Sequence, residues 1–120
     1  MSIEALLNEL VSSVDGATSA ILLETDGEAV QWCSATDNER LKLRGAYVSV
    51  VLRSFRQLAD PANMEGSRCL VLEYEGSNLV AKEINHDCFV MLELGASTNI
   101  GEAMFRLKRT AEELRVEMGL

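Results

Sequence analysis

His86 is the chain's one histidine, and Cys88 stands two residues from it. An imidazole held against a thiol makes a nucleophile and its base. Here "INHDCF" reads as a tight turn entering a strand, which leaves His86 in solvent and turns Cys88 toward the core. Gly95-Ala96-Ser97 ahead of Asn99 offers a second possibility, an anion at a helix N-terminus. Asn99 with Glu102 three residues on reads more simply as a cap. Glu112 and Glu113 fall on the polar side of the last helix. The phosphate-cradling pattern G-x-x-x-x-G-K-[ST] does not occur, so the chain is not itself a P-loop nucleotide hydrolase. Cys33, Cys69 and Cys88 are odd in number, far apart and set in apolar runs. They read as buried, reduced thiols rather than a disulfide framework, and with no C-x-x-C they make no zinc site. The expectation is a protein with no catalytic residue, metal or cofactor of its own.

Charge narrows the partners. The 120 residues carry a net charge of −8, which disfavours general nucleic-acid binding. Between Asp37 and Ala59 the balance reverses, with Arg40, Lys42, Arg44, Arg53 and Arg56 against Asp37 and Glu39. No run of 18 apolar residues suggests a membrane-spanning helix. "MSIEALLNEL" has early glutamates and no basic lead, so no signal peptide is expected and the location is read as cytoplasmic.

The elements that would position these residues follow from periodicity. Ile3, Leu6, Leu7, Leu10 and Val14 recur at helical spacing, with Ser2 as cap and Gly16 suited to the C-terminal end. "TSAILLE" and "EAVQWCS" flank Asp26-Gly27 as a hairpin, with Val30 and Trp32 on one face and Ala29 and Cys33 on the other. Thr36 and Glu39 form a capping box for a helix reaching about Ala59, where Asp60-Pro61 stops it. "DPANMEGS" is a surface loop. "RCLVLEYE", "NLVAKEI" and "CFVMLEL" form a meander. A last helix carries Ile100, Ala103, Met104, Leu107, Ala111, Leu114 and Met118 on one stripe. The order is α-ββ-α-βββ-α in one domain, residues 1–120. Strands apolar on both faces imply a three-layer α/β sandwich around a five-stranded antiparallel sheet. Returning the last strand beside the first gives the order 2-1-5-4-3.

The helix "RLKLRGAYVSVVLRSF" is apolar nearly all round. Leu41, Val48, Val51, Leu52, Phe55 and Leu58 are assigned to the sheet. Leu43, Tyr47 and Val50, with Ala46, make a second stripe that a monomer would leave in water. Gly45 suits close approach of another backbone, or is simply tolerated in mid-helix. Either the "DPANMEGS" loop covers the second stripe or another chain does. The edge strand "RCLVLEYE" favours another chain, because a long apolar edge invites pairing, and a two-fold dimer covers stripe and edge together. The expected interface is Leu43, Ala46, Tyr47, Val50, Cys69, Val71 and Glu73. Trp32 and Tyr74 are core or edge packing, with an anchoring role in an interface as the alternative.

The layout of the opening third resembles the Roadblock family, which includes dynein roadblock light chains and bacterial MglB-type regulators. The matching positions are Leu7 and Leu10 on the helix, Gly16 after it, Ala20 to Leu23 in the strand, and Asp26-Gly27 at the turn. The element order extends the likeness over nearly the whole chain. The resemblance implies a roadblock or profilin-like fold and dimers formed through the second helix and third strand. It also implies a non-catalytic partnership with a Ras-like small GTPase, promoting GTP turnover, or an adaptor's place in a larger assembly. It carries over no catalytic side chain. Arg40, Lys42, Arg44 and Arg53 are candidate GTPase contacts on charge alone. A small-molecule sensor is a third reading, weakened by the lack of a polar cluster aimed at the core.

Overall fold

The computed structural model describes residues 1–35, 37–62 and 68–120. Its elements are α1 (Ile3–Ser13), β1 (Ala17–Glu24), β2 (Ala29–Ser34), α2 (Asn38–Ala59), β3 (Cys69–Tyr74), β4 (Ser77–Glu83), β5 (Cys88–Gly95) and α3 (Ile100–Glu117). The five strands form one antiparallel sheet in the order β2-β1-β5-β4-β3, as the strand pattern predicts. Helices α1 and α3 pack together on one face, and α2 lies on the other, over β1 and β2.

Local chemistry sets the helix ends. The Ser2 hydroxyl accepts from the Ala5 N–H at 3.1 Å, and Asn99 Oδ1 accepts from the Glu102 N–H at 3.0 Å. Each satisfies an orphan donor of a first turn. At α2 the cap is Asp37, which accepts from the Glu39 and Arg40 N–H groups. The expected cap, Thr36, lies outside the described residues. Helix α1 stops earlier than its stripe suggests. Val14 is already extended but still buried. Gly16 serves the following turn, with φ of +85° and a Cβ position only 2.3 Å from Thr98 Oγ1. Only glycine takes that conformation in that space.

The central strands are buried on both faces. One cluster unites Leu6, Leu7 and Leu10 of α1 with Leu22, Val90 and Leu92 of the sheet and Leu107 and Leu114 of α3. The other unites Leu41, Val48 and Leu52 of α2 with Ile21, Leu23, Phe89 and Met91. Strand β2 departs from simple alternation. Leu22 pairs with Gln31 but Leu23 with Ala29, so Val30 is an extra residue in a bulge. Ala29 therefore joins Trp32 on the α2 face instead of Cys33 on the other.

The wheel assignment of α2 needs correction. Leu41, Val48 and Leu52 are buried and Phe55 is half-buried, but Val51 and Leu58 are exposed, Leu58 by 74%. Gly45, Ser49 and Ala59 fill the sheet side in their place. The reason is close approach. A Cβ on Gly45 would stand 2.7 Å from Leu23 Cδ2, so the helix sinks onto β1 along its smallest residues. Gly45 thus serves contact with this chain's own sheet, not another backbone.

Candidate partner interface

Successive residues of α2 turn by about 100°, so Lys42 and Arg44, two residues apart, lie on opposite flanks. On one flank the Lys42 ammonium lies 3.8 Å from the Trp32 ring centre in β2. On the other, Arg44 ion-pairs with Glu93 of β5, and its guanidinium lies 5.4 Å from the Tyr74 ring of β3. Val51 and Leu58 follow Arg44 at seven-residue steps and share its flank. They join Leu43, Tyr47 and Val50 in one exposed apolar ridge running the length of the helix. Tyr47 is 66% exposed at its middle.

The ridge leans toward the open edge of the sheet. Among the described residues, strand β3 pairs only with β4. Because α2 sits over β1 and β2, Leu70 and Leu72 on the same sheet face are half-covered. Cys69 and Val71 point to the opposite face and pack against the α1–α3 cluster. The expected interface residues therefore divide. Leu43, Tyr47 and Val50 belong to the ridge, Ala46 is half-buried beside it, and Cys69, Val71 and Glu73 lie on the strand's other side. Val51 and Leu58 are exposed on the same ridge, and Leu70 and Leu72 are half-covered beside it, which the sequence assignment did not include. Strand alternation allowed Leu70 and Leu72 equally well, and choosing the face required knowing where α2 sits.

Two buried glutamates bind α2 to the open half of the sheet. Glu93 takes Arg44 and also accepts from Thr18 Oγ1 at 3.3 Å. Glu83 takes Arg56 at 3.3 Å and Arg68 at 3.5 Å. Arg68 also lies 5.3 Å from the Phe55 ring. A carboxylate inside an apolar strand needs such partners, and "MLELG" carried that signal in sequence. Arg56 donates as well to the His86 carbonyl at 2.8 Å, which fixes the β4–β5 turn under the helix end.

The four basic candidates do not form one patch. Arg40 is exposed and shares a cleft of about 570 Å³ with Arg44 and Tyr74 at the start of α2. Lys42 is on the Trp32 flank, paired with Glu39 at 3.7 Å. Arg44 is committed to Glu93. Arg53 lines a separate cleft of about 760 Å³ near the other end of α2, with His86 and Asp26. Among the described residues neither Arg40 nor Arg53 makes an ion pair.

His86 is exposed in its turn, and Cys88 is buried beyond it. The Cys88 amide and thiol both bond to Asn85 Oδ1, at 3.0 and 3.3 Å. All three cysteines are free, but Cys33 and Cys69 are only half-buried because they sit on the edge strands. Burial pushes all three thiols above their ordinary range. The described group nearest to a metal-ligand set is Glu24, Asp26 and Glu28, whose carboxylates lie within 4.8 Å of one another in full solvent. Among the described residues no buried side-chain polar atom lacks a partner. No described helix is long and apolar enough to cross a membrane.

The fold is that of solved Roadblock/LC7 domains. A Roadblock/LC7 domain from Streptomyces avermitilis superposes with a TM-score of 0.88 at 17% identity, each chain covered in full. An MglB in a tetrameric arrangement matches with a TM-score of 0.85 at 19% identity, over 96% of this chain and 86% of that one. MglC from Myxococcus xanthus matches with a TM-score of 0.69 at 27% identity, over 98% and 99%. No family model matches the sequence. No curated protein matches it either.

Proposed function

We propose that the protein is a non-catalytic regulator of a Ras-like small GTPase, acting in the cytoplasm as a homodimer joined through α2 and β3. The observation that carries this reading is the continuous apolar ridge of α2 beside an unpaired strand edge, in a fold shared with MglB and MglC. A patch of that length in water favours a second protein surface, and the same flank offers both side chains and backbone to it. The dimer promotes GTP turnover by holding the GTPase's mobile segments in their competent conformation. That requires tighter binding to one of two states. Catalysis through an arginine finger is disfavoured for Arg44, which is already bound to Glu93. Arg40, at the exposed start of the ridge, is the basic residue best placed to touch the GTPase.

The second reading is an adaptor that holds a larger assembly together without changing GTP hydrolysis. The separation of Arg40 from Arg53 favours it, because no single basic patch faces one partner. The test adds the purified protein in excess to a candidate small GTPase. Complex formation with faster GTP turnover supports regulation, and Arg40→Ala then weakens the complex. A complex with unchanged turnover supports the adaptor. Monomeric wild-type protein by light scattering overturns the dimer in both.

A further inference from the structure

We propose that the bulge at Val30 closes the β2 edge to pairing with another strand, so that copies of this chain can join at one flank of the sheet only. The proposal goes beyond the homodimer reading and rests on the geometry of β2.

An open sheet has two edges, and each is a template for a further strand. Here they are β3 and β2, and they are built differently. From Cys69 to Tyr74, β3 runs beside β4 without a shift in register. Strand β2 runs beside β1 with a shift between Leu22 and Leu23, where Val30 is the extra residue.

Hydrogen bonds show which way the β2 backbone faces. The Ala35 N–H donates to the Thr18 carbonyl at 3.2 Å, and the Glu24 N–H to the Glu28 carbonyl at 2.8 Å. In an antiparallel ladder such bonded pairs alternate with unbonded ones. Counting inward from both ends, Cys33 with Ala20 and Gln31 with Leu22 are bonded pairs, whereas Trp32 with Ile21 and Ala29 with Leu23 are not. The backbone groups of Trp32 and Ala29 therefore face away from β1. In a regular strand, outward groups recur every two residues, about 7 Å. Ala29 and Trp32 are three residues apart. An incoming regular strand that bonds one of them is out of step with the other.

The side chains add to the block. A bulge bends its strand and increases the local twist, and Val30 stands out from this one, 42% exposed. Glu28 is exposed at the start of the strand, and the Lys42 ammonium stands over Trp32 near its middle. Bulges and charged side chains are the features by which sheet edges resist pairing. The consequence is the size of the assembly. With both edges open, sheets could join edge to edge without limit. With β2 closed, a two-fold contact on the other flank leaves no second one, and assembly stops at two copies.

Deleting Val30 tests this, because it removes the extra residue and keeps every β1–β2 pair. Ala29 and Trp32 then stand two residues apart. In a Tyr47→Glu background, which breaks contact through the ridge, the deletion is expected to double the solution mass measured by light scattering. In the otherwise unchanged protein it is expected to carry the mass beyond two copies, rising with concentration. A deletion protein that keeps its circular dichroism and has the mass of its parent in both backgrounds overturns the proposal. So does a wild-type mass above two copies. Amide hydrogen exchange gives a test that needs no deletion. In the wild type, the Trp32 N–H is expected to exchange fast and the Cys33 N–H slowly at every protein concentration. Slowing of Trp32 exchange as concentration rises overturns the closed edge. Monomeric wild type overturns the homodimer reading instead, and a mass that doubles on deletion of Val30 then still supports the closed edge.

Discussion

Arg44 of α2 is ion-paired with Glu93 of β5, and the two side chains are only 19% and 11% exposed. Thr18 donates to the same carboxylate, and Tyr74 lies against the guanidinium. The pair joins the start of the ridge to the centre of the sheet and to the edge strand. Its job is to position α2.

Removing one member strands the other in a dry site. Glu93→Ala is therefore expected to destabilise the fold by about 3 kcal/mol, measured by urea denaturation. Replacing both, as Arg44→Met with Glu93→Leu, should recover most of that loss, since an apolar pair of similar volume avoids the desolvation cost. A Glu93→Ala variant as stable as wild type would show that the pair is solvated and weak.

Gly45 supports a second prediction of opposite local and tertiary sign. In an isolated helix, alanine is better than glycine by about 1 kcal/mol. Here its methyl would meet Leu23 Cδ2 at 2.7 Å, and overpacking of a full core costs about 1–3 kcal/mol. The contact wins, so Gly45→Ala is expected to lower stability by roughly 1 kcal/mol. Adding Leu23→Val, which shortens the obstructing side chain, should reverse part of the loss. A Gly45→Ala protein with a raised melting temperature would mean that α2 rides higher on the sheet than described.

The thiols give a pH dependence. Cys69 is held above the ordinary thiol range chiefly by burial, with Lys108 and Lys82 opposing. Cys33 is raised by burial and then by Glu4, and its Sγ–H donates to Asn8 Oδ1. Both thiols stay protonated where a free cysteine begins to ionise. Alkylation at about pH 8 should thus run slower in the folded protein than in urea, and the gap should narrow as pH rises further. A raised folded value also means that this part of the stability is present below the unfolded thiol's range and is lost as pH climbs through the folded one. Fast labelling of Cys33 at pH 8 would show an open β2 edge.

Much of this architecture was legible in the sequence because it rests on local signals. Capping at Ser2 and Asn99, the glycine turn at Gly27, and the single stripe of α3 each depend on residues near one another in the chain. Apolar runs that demand cover on both faces gave the three layers, and returning the last strand beside the first gave the strand order. What failed depended on contacts far apart in sequence. Val51 and Leu58 look like core on a wheel, but the helix sinks toward β1 through Gly45 and Ser49 and rotates them outward. Ala29 changed face because a bulge at Val30 shifted the pleat. Which sheet face Cys69 and Val71 share, and which Leu70 and Leu72, depends on where the helices pack, and no local pattern encodes that.

That correction leads to the most discriminating variants. If Leu58 were core, Leu58→Glu would bury an unpaired charge and unfold the protein. With Leu58 exposed by 74% on the ridge, the folded chain has no objection to glutamate, and the effect falls on association. Leu58→Glu, Val51→Glu and Tyr47→Glu are each expected to keep the helical circular dichroism of the wild type while raising the dimer dissociation constant at least about tenfold, since each places a charge in an apolar contact. Lys42→Glu on the Trp32 flank is the control, and it should leave the solution mass unchanged. Loss of circular dichroism in Leu58→Glu would return that residue to the core. A dimer indifferent to all three ridge charges would move the interface off α2 and leave the edge strand as its sole support.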